Sequence, residues 1–219
     1  MLAKWWAALL DLVYPPRCPG CRSQVTGHGA WCPRCLTANL AERRLNVAGR
    51  HLRALAACRV LCDYSGGVKA VLHRLKFQRQ ESQAAYLTWL LTAHLAPATF
   101  GSIDAVVPVP LHADRLATRG FNQTELIFRP WAETAGWPWL EPLARSRQTR
   151  PQWELPPAQR RANVKGAFLV TRPELIQGKT ILLVDDIVTT GLTLDECARQ
   201  LRRGGAAKVI GLALAGGGA

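Results

Sequence analysis

The chain has 219 residues, enough to bury one α/β core and carry a small accessory module. At 48 % hydrophobic and 20 % charged it falls outside the disordered class, and no apolar run reaches the length of a membrane span. Its 28 basic residues against 15 acidic ones give a net charge of +13, which favours polyanionic partners (nucleic acid, phosphorylated small molecules or an anionic membrane surface) without choosing among them.

The first segment, MLAKWWAALLDLVYPP, spaces Trp5, Leu9, Leu12 and Val13 as a helix would. Asp11 breaks its apolar stretch, and Tyr14-Pro15-Pro16 stands where a signal peptide would need small residues. A short amphipathic helix packed on the body is expected, and a cytoplasmic location. Next come Cys18-Pro19-Gly20-Cys21 and Cys32-Pro33-Arg34-Cys35, two C-x-x-C pairs separated by 10 residues. Each pair sets two thiolates on one knuckle, and two knuckles complete the tetrahedral sulfur shell that suits structural Zn2+. A redox dithiol is the rival reading, but it needs one reactive pair rather than two in a Gly/Pro-rich segment. Cys58, Cys62 and Cys197 lie among apolar residues and read as small buried hydrophobes.

Residues 36–53 are polar and basic and read as a helical connection, so the expected organisation is a zinc-binding module over 1–56 and a main domain over 57–219. From Ala57 on, strand-like and helix-like segments alternate. ACRVLCDY, SIDAVVPVP, GAFLV, KTILLVDD and AKVIGLALA read as strands, with helices over 67–77, 80–95, the FNQTELIFRPWAETA segment and TLDECARQLRRGG. Such alternation predicts an α/β fold with a parallel sheet and flanking helices, whose ligands sit at the carboxyl ends of the strands.

The strongest motif follows the apolar strand 181–184. Asp185 and Asp186 end it, and Thr189-Thr190-Gly191 with Thr193 opens an amphipathic helix. A turn of small and hydroxyl residues at a helix start offers N–H donors to a phosphate, and paired carboxylates can accept both hydrogen bonds of a cis-diol. A ribose 5-phosphate satisfies both halves; a metal held by the acid pair is the alternative. After the strand ending at Val109, Arg115, Arg119 and the Gly120 turn supply charge and close backbone approach for phosphate, and Lys76 adds a further cation at a helix end. Between Arg145 and Lys165 lies a long basic segment whose 6 positive residues face only Glu154. Trp153 within it, and Trp137 and Trp139 upstream, are either packing residues or stacking platforms for single-stranded bases.

The turn at 185–193 resembles the phosphoribosyl pyrophosphate (PRPP) motif of type I phosphoribosyltransferases. That resemblance gives Asp185 and Asp186 the ribose hydroxyls and Thr189, Thr190, Gly191 and Thr193 the 5′-phosphate, with Mg2+ accompanying PRPP. It also puts Arg115, Arg119 and Gly120 at the pyrophosphate, and makes Arg160 and Arg161 catalytic candidates on a basic cover. Purine-salvage members often have an acid where this chain has Thr189, and a hydroxyl is a poor general base near neutral pH.

The ordered blocks DYSGxVKxxLHxLKF, PVPLH…RGFNQ, TRPQ…RxNVKGAF and LVDDIVTTGxT are similar to the ComF family, which includes ComFC competence and GntX-type DNA-utilisation proteins. This resemblance implies a cytoplasmic phosphoribosyltransferase-like protein, reaching to the inner face of the membrane, that acts in natural transformation or in using external DNA. It implies single-stranded DNA as partner, with Arg145, Arg147, Arg150, Trp153, Arg160, Arg161 and Lys165 as contacts, and competence or recombination proteins as further partners. Many members carry additional C-x-x-C pairs, which this chain lacks. Enzyme and non-enzymatic PRPP sensor both remain open, and the acceptor is unnamed.

Overall fold

The computed structural model describes residues 14–149 and 156–217. The expected N-terminal helix, Arg150 and Trp153 lie outside them. The centre of the molecule is a sheet whose inner strands are the most apolar segments of the chain. In order across it run β1 (Leu40–Arg44), β2 (Ala57–Asp63), β7 (Lys208–Gly216), β6 (Thr180–Val188) and β3 (Ala105–Pro108). The last four are mutually parallel, and β1 joins β2 antiparallel. Strands this apolar need cover on both faces. One face receives α2 (Gly66–Phe77), α3 (Gln83–His94) and α5 (Gln123–Thr134), which bury Val68, Leu72 and Leu75, then Leu87 and Leu91, then Phe128 and Trp131. Their i, i+3, i+4 spacing is what gives each helix one buried stripe.

The other face is covered by α7 (Leu192–Arg203), through Leu194, Cys197, Ala198 and Leu201, and by the segment that carries Leu52 and Leu55. Cys58, Cys62 and Cys197 are all buried, and burial pushes the Cys58 and Cys62 thiols up to about 12. Trp137 packs edge-on against Trp131 at 5.3 Å and against Phe100 at 6.2 Å, so its ring packs against the core.

Three segments differ from expectation. The connection after the cysteines is not a long helix. A short one, α1 (Pro33–Asn39), passes directly into β1, where Arg43 pairs with Asp63 at 2.9 Å and Glu42 with Arg59 at 2.6 Å. Those cross-strand ion pairs and the ladder to β2 outweigh the helix propensity of Leu-Ala-Glu-Arg-Arg. The GAFLV strand, β5 (Phe168–Val170), stays out of the main sheet and forms a separate antiparallel ribbon with β4 (Leu143–Arg145). The basic segment between them contains a helix, α6 (Pro157–Val164).

Candidate functional site

A cavity of about 700 Å³ opens at the carboxyl ends of β3 and β6. Strand alternation sends the two aspartates of β6 to opposite faces of the sheet. Asp186, 4 % exposed, meets Lys76 near the end of α2 in an ion pair. Asp185 lies toward Arg145, Cys58 and Cys197, and its carboxylate accepts from the Asp186 backbone N–H at 2.9 Å. Both still line the cavity. Burial first, and the neighbouring Asp186 second, push the Asp185 carboxyl well above the usual range.

The turn after β6 is shaped by Gly191, which takes φ +85° as the N-cap of α7. A Cβ there would come within 2.5 Å of the Leu52 side chain, so both conformation and space call for glycine. Gly191 itself brings no side chain to cap this helix start, which leaves its end suited to an anion. Thr189, Gly191 and Thr193 line the cavity, and the Thr189 carbonyl accepts from Arg50 Nη1 at 2.8 Å. Thr190 is half-buried in the same turn.

The facing wall is basic. Arg115 and Arg119 project into it from α4 (Ala113–Arg119), which follows β3 and ends at Gly120 in the left-handed conformation. Burial lowers the Arg119 pKa, Asp186 opposes that shift, and Arg115 adds to it. Arg145 is also part of the wall. Its guanidinium lies 5.2 Å from the Phe168 ring centroid and donates to the Thr149 hydroxyl.

Other candidates are placed elsewhere. Arg160 and Arg161 sit on α6, which gives the cavity only Val164. Arg161 donates to the His51 carbonyl at 3.1 Å and lies 3.8 Å from Asp195. Arg147 donates to the carbonyls of Asn163 and Lys165 at 2.9 and 3.2 Å, clamping the end of α6, and the Lys165 side chain is exposed. Gly120 shapes the end of α4 without lining the cavity. Sequence reasoning passed over Phe77 and Arg79, both in the lining, and Arg50 and Leu52, which brace the turn. Lys76, Phe77 and Arg79 share one short run, so Lys76 was the available signal for its two neighbours.

The sulfurs of Cys18, Cys21, Cys32 and Cys35 lie within 4.8 Å of one another. Ligands about 2.3 Å from a tetrahedral zinc are separated by about 3.8 Å, so four thiolates here fit a structural Zn2+ with no position to spare. The Ser23 hydroxyl draws the Cys21 thiol down to about 6, while burial raises that of Cys35.

Comparison with known proteins agrees with both halves. Residues 143–219 match the phosphoribosyl transferase domain family, and residues 9–62 the double zinc ribbon domain family. The DNA utilization protein YhgH of Escherichia coli K12 is 34 % identical over 197 residues, covering 88 % of this chain and 80 % of the relative. Competence protein F of Haemophilus influenzae is 28 % identical, covering 89 % and 82 %. Competence protein ComFC of Bacillus subtilis is 29 % identical, covering 95 % and 88 %.

Proposed function

Because the chain belongs to the ComF family of competence and DNA-utilisation proteins, we propose that its cavity binds PRPP with Mg2+ and that the protein handles single-stranded DNA in the cytoplasm during the uptake and use of external DNA. One observation carries the PRPP reading. Two adjacent carboxylates and a glycine-opened helix start line the same cavity, opposite a wall of arginines. In this reading Asp185 and Asp186 accept from the ribose diol, and the turn at 189–193 holds the 5′-phosphate. Lys76, Arg115 and Arg119 take the pyrophosphate. The Lys76 ammonium has three N–H donors, so it can reach a phosphate while staying beside Asp186. Mg2+, when bound, would neutralise part of the pyrophosphate charge.

Residues 1–56 carry the zinc module, with β1 and the 50–55 stretch joined to the phosphoribosyltransferase-like domain of 57–219. The +13 charge supports a nucleic-acid partner, with competence or recombination proteins as further contacts. A transferase activity toward a nucleobase-like acceptor is the second reading, and the cations facing the diol favour it because they stand where a leaving pyrophosphate needs charge.

Calorimetry with PRPP and Mg2+ tests the proposal. Asp185→Asn combined with Asp186→Asn is expected to abolish binding while circular dichroism stays unchanged; undiminished affinity would refute the site. Pyrophosphate release with candidate acceptors separates the transferase from the sensor.

A further inference from the structure

The mouth of the cavity carries a feature that sugar and phosphate do not use. Phe77 ends α2 and lines the cavity, yet is 67 % exposed. A lone exposed hydrophobe needs no explanation, but this one is held in place. The His73 ring, one turn earlier, lies 4.8 Å from it at 41°. Two residues later Arg79 adopts φ +53°, a conformation seldom taken by a residue with a side chain. From there its guanidinium donates to the Thr118 carbonyl on α4. That bond ties the end of α2 to the helix carrying Leu116, which is 44 % exposed, and Arg115. An aromatic face and two arginines thus border the opening of the cavity, with Leu116 exposed on the same helix as Arg115.

We infer that Phe77 is the platform for a planar heterocycle, the base of a nucleotide or of single-stranded DNA, seated at the cavity mouth. The inference rests on the sugar-phosphate reading of the cavity and adds the chemistry of its second ligand. A base stacks on an aromatic face whatever its sequence, and neighbouring guanidinium groups hold the attached phosphate. Asp186, paired with Lys76, keeps the sugar end of the site one residue along α2 from the platform.

The test uses the full chain and compares wild type, Phe77→Ala and Phe77→Trp by calorimetry. The probes are ribose 5-phosphate, thymidine 5′-monophosphate and a short oligothymidylate. Phe77→Ala is expected to weaken one or both base-bearing probes by roughly tenfold, leave ribose 5-phosphate unchanged, and be rescued by Phe77→Trp. Loss for the mononucleotide alone identifies a free nucleotide as the ligand, and loss for the oligomer identifies DNA. Equal weakening of ribose 5-phosphate, unaltered binding of both base probes, or wild-type binding of ribose 5-phosphate alone would each overturn the platform. If wild type binds ribose 5-phosphate not at all, the sugar-phosphate reading fails first and the platform with it.

Discussion

Asp185 is held in the cavity wall at a cost to the fold. Its carboxyl is pushed up by burial and then by Asp186, so the folded state prefers it protonated. A carboxyl whose folded pKa lies above its unfolded value stabilises the fold at acid pH, and that contribution is lost as pH rises from the ordinary value of 3.8 through the raised one. Ionising Asp185 therefore costs the fold, a cost that Lys76 and the Asp186 N–H offset only in part. Asp185→Asn is expected to raise the melting temperature of the ligand-free protein at neutral pH by roughly 2–4 °C, what about 1 kcal/mol produces in a chain this size. The gain should vanish at pH 4, and PRPP should no longer stabilise the variant; differential scanning fluorimetry reads all three. A lower melting temperature at neutral pH would mean that Asp185 is a net structural support. The aspartate pair was legible in sequence because two acids ending an apolar strand have few structural uses. Phe77 was not, since exposure depends on what α2 packs against rather than on the residue itself.

Elements matter through how they brace one another. The segment between β1 and β2 looks like a passive connection in the sequence, yet it grips the turn at 189–193 from behind. Leu52 occupies the space a Gly191 Cβ would need, Arg50 binds the Thr189 carbonyl, and the Ala54 N–H donates to Asp195 at 2.9 Å in the first turn of α7. Gly191→Ala would strain a left-handed backbone and press on a buried leucine at once. It should cost about 1–3 kcal/mol of stability and weaken ribose 5-phosphate binding at least tenfold, measured by urea unfolding and by calorimetry; wild-type affinity would show that the turn does not hold the phosphate. The strands and helices of the main body were legible because their apolar periods of two and three to four are distinct. β1 and β4 were not, and GAFLV was legible as a strand but not as one arm of a separate ribbon. The short LAERR and LAR segments carry no period of their own, and three apolar residues do not name their partner.

At the scale of the whole molecule the cysteine module and the cavity are joined through one helix. The first knuckle meets α2 where Gly20 and Gly67 approach so closely that a Cβ on Gly67 would lie 2.8 Å from the Gly20 Cα. Trp31 covers the same contact and donates to the Tyr86 carbonyl on α3 at 2.9 Å. Asn39, at the end of α1, accepts from the Val68 N–H at 3.2 Å, and Arg74 donates to the Pro19 carbonyl at 2.8 Å. The C-x-x-C spacing disclosed the metal ligands, but nothing in it disclosed this docking, which glycine makes by having no side chain. The same α2 then ends in Lys76 and Phe77 at the cavity. Folding free energy and metal binding are coupled where thiolates meet only in the folded state. Cys21 is exposed, so Cys21→Ser removes a ligand without opening the core. Zinc content should fall, and stability should drop by at least about 3 kcal/mol, or roughly 6–12 °C. Hydrogen exchange should quicken along α2 more than along α7, because the knuckles grip α2, which covers the opposite face of the sheet from α7. PRPP affinity should weaken severalfold as Lys76 loses its fixed position, while Gly191 and its turn, braced from the other face of the sheet, keep hold of the phosphate. Zinc loss with unchanged exchange in α2 would show that the module is merely attached to the domain and does not support its site.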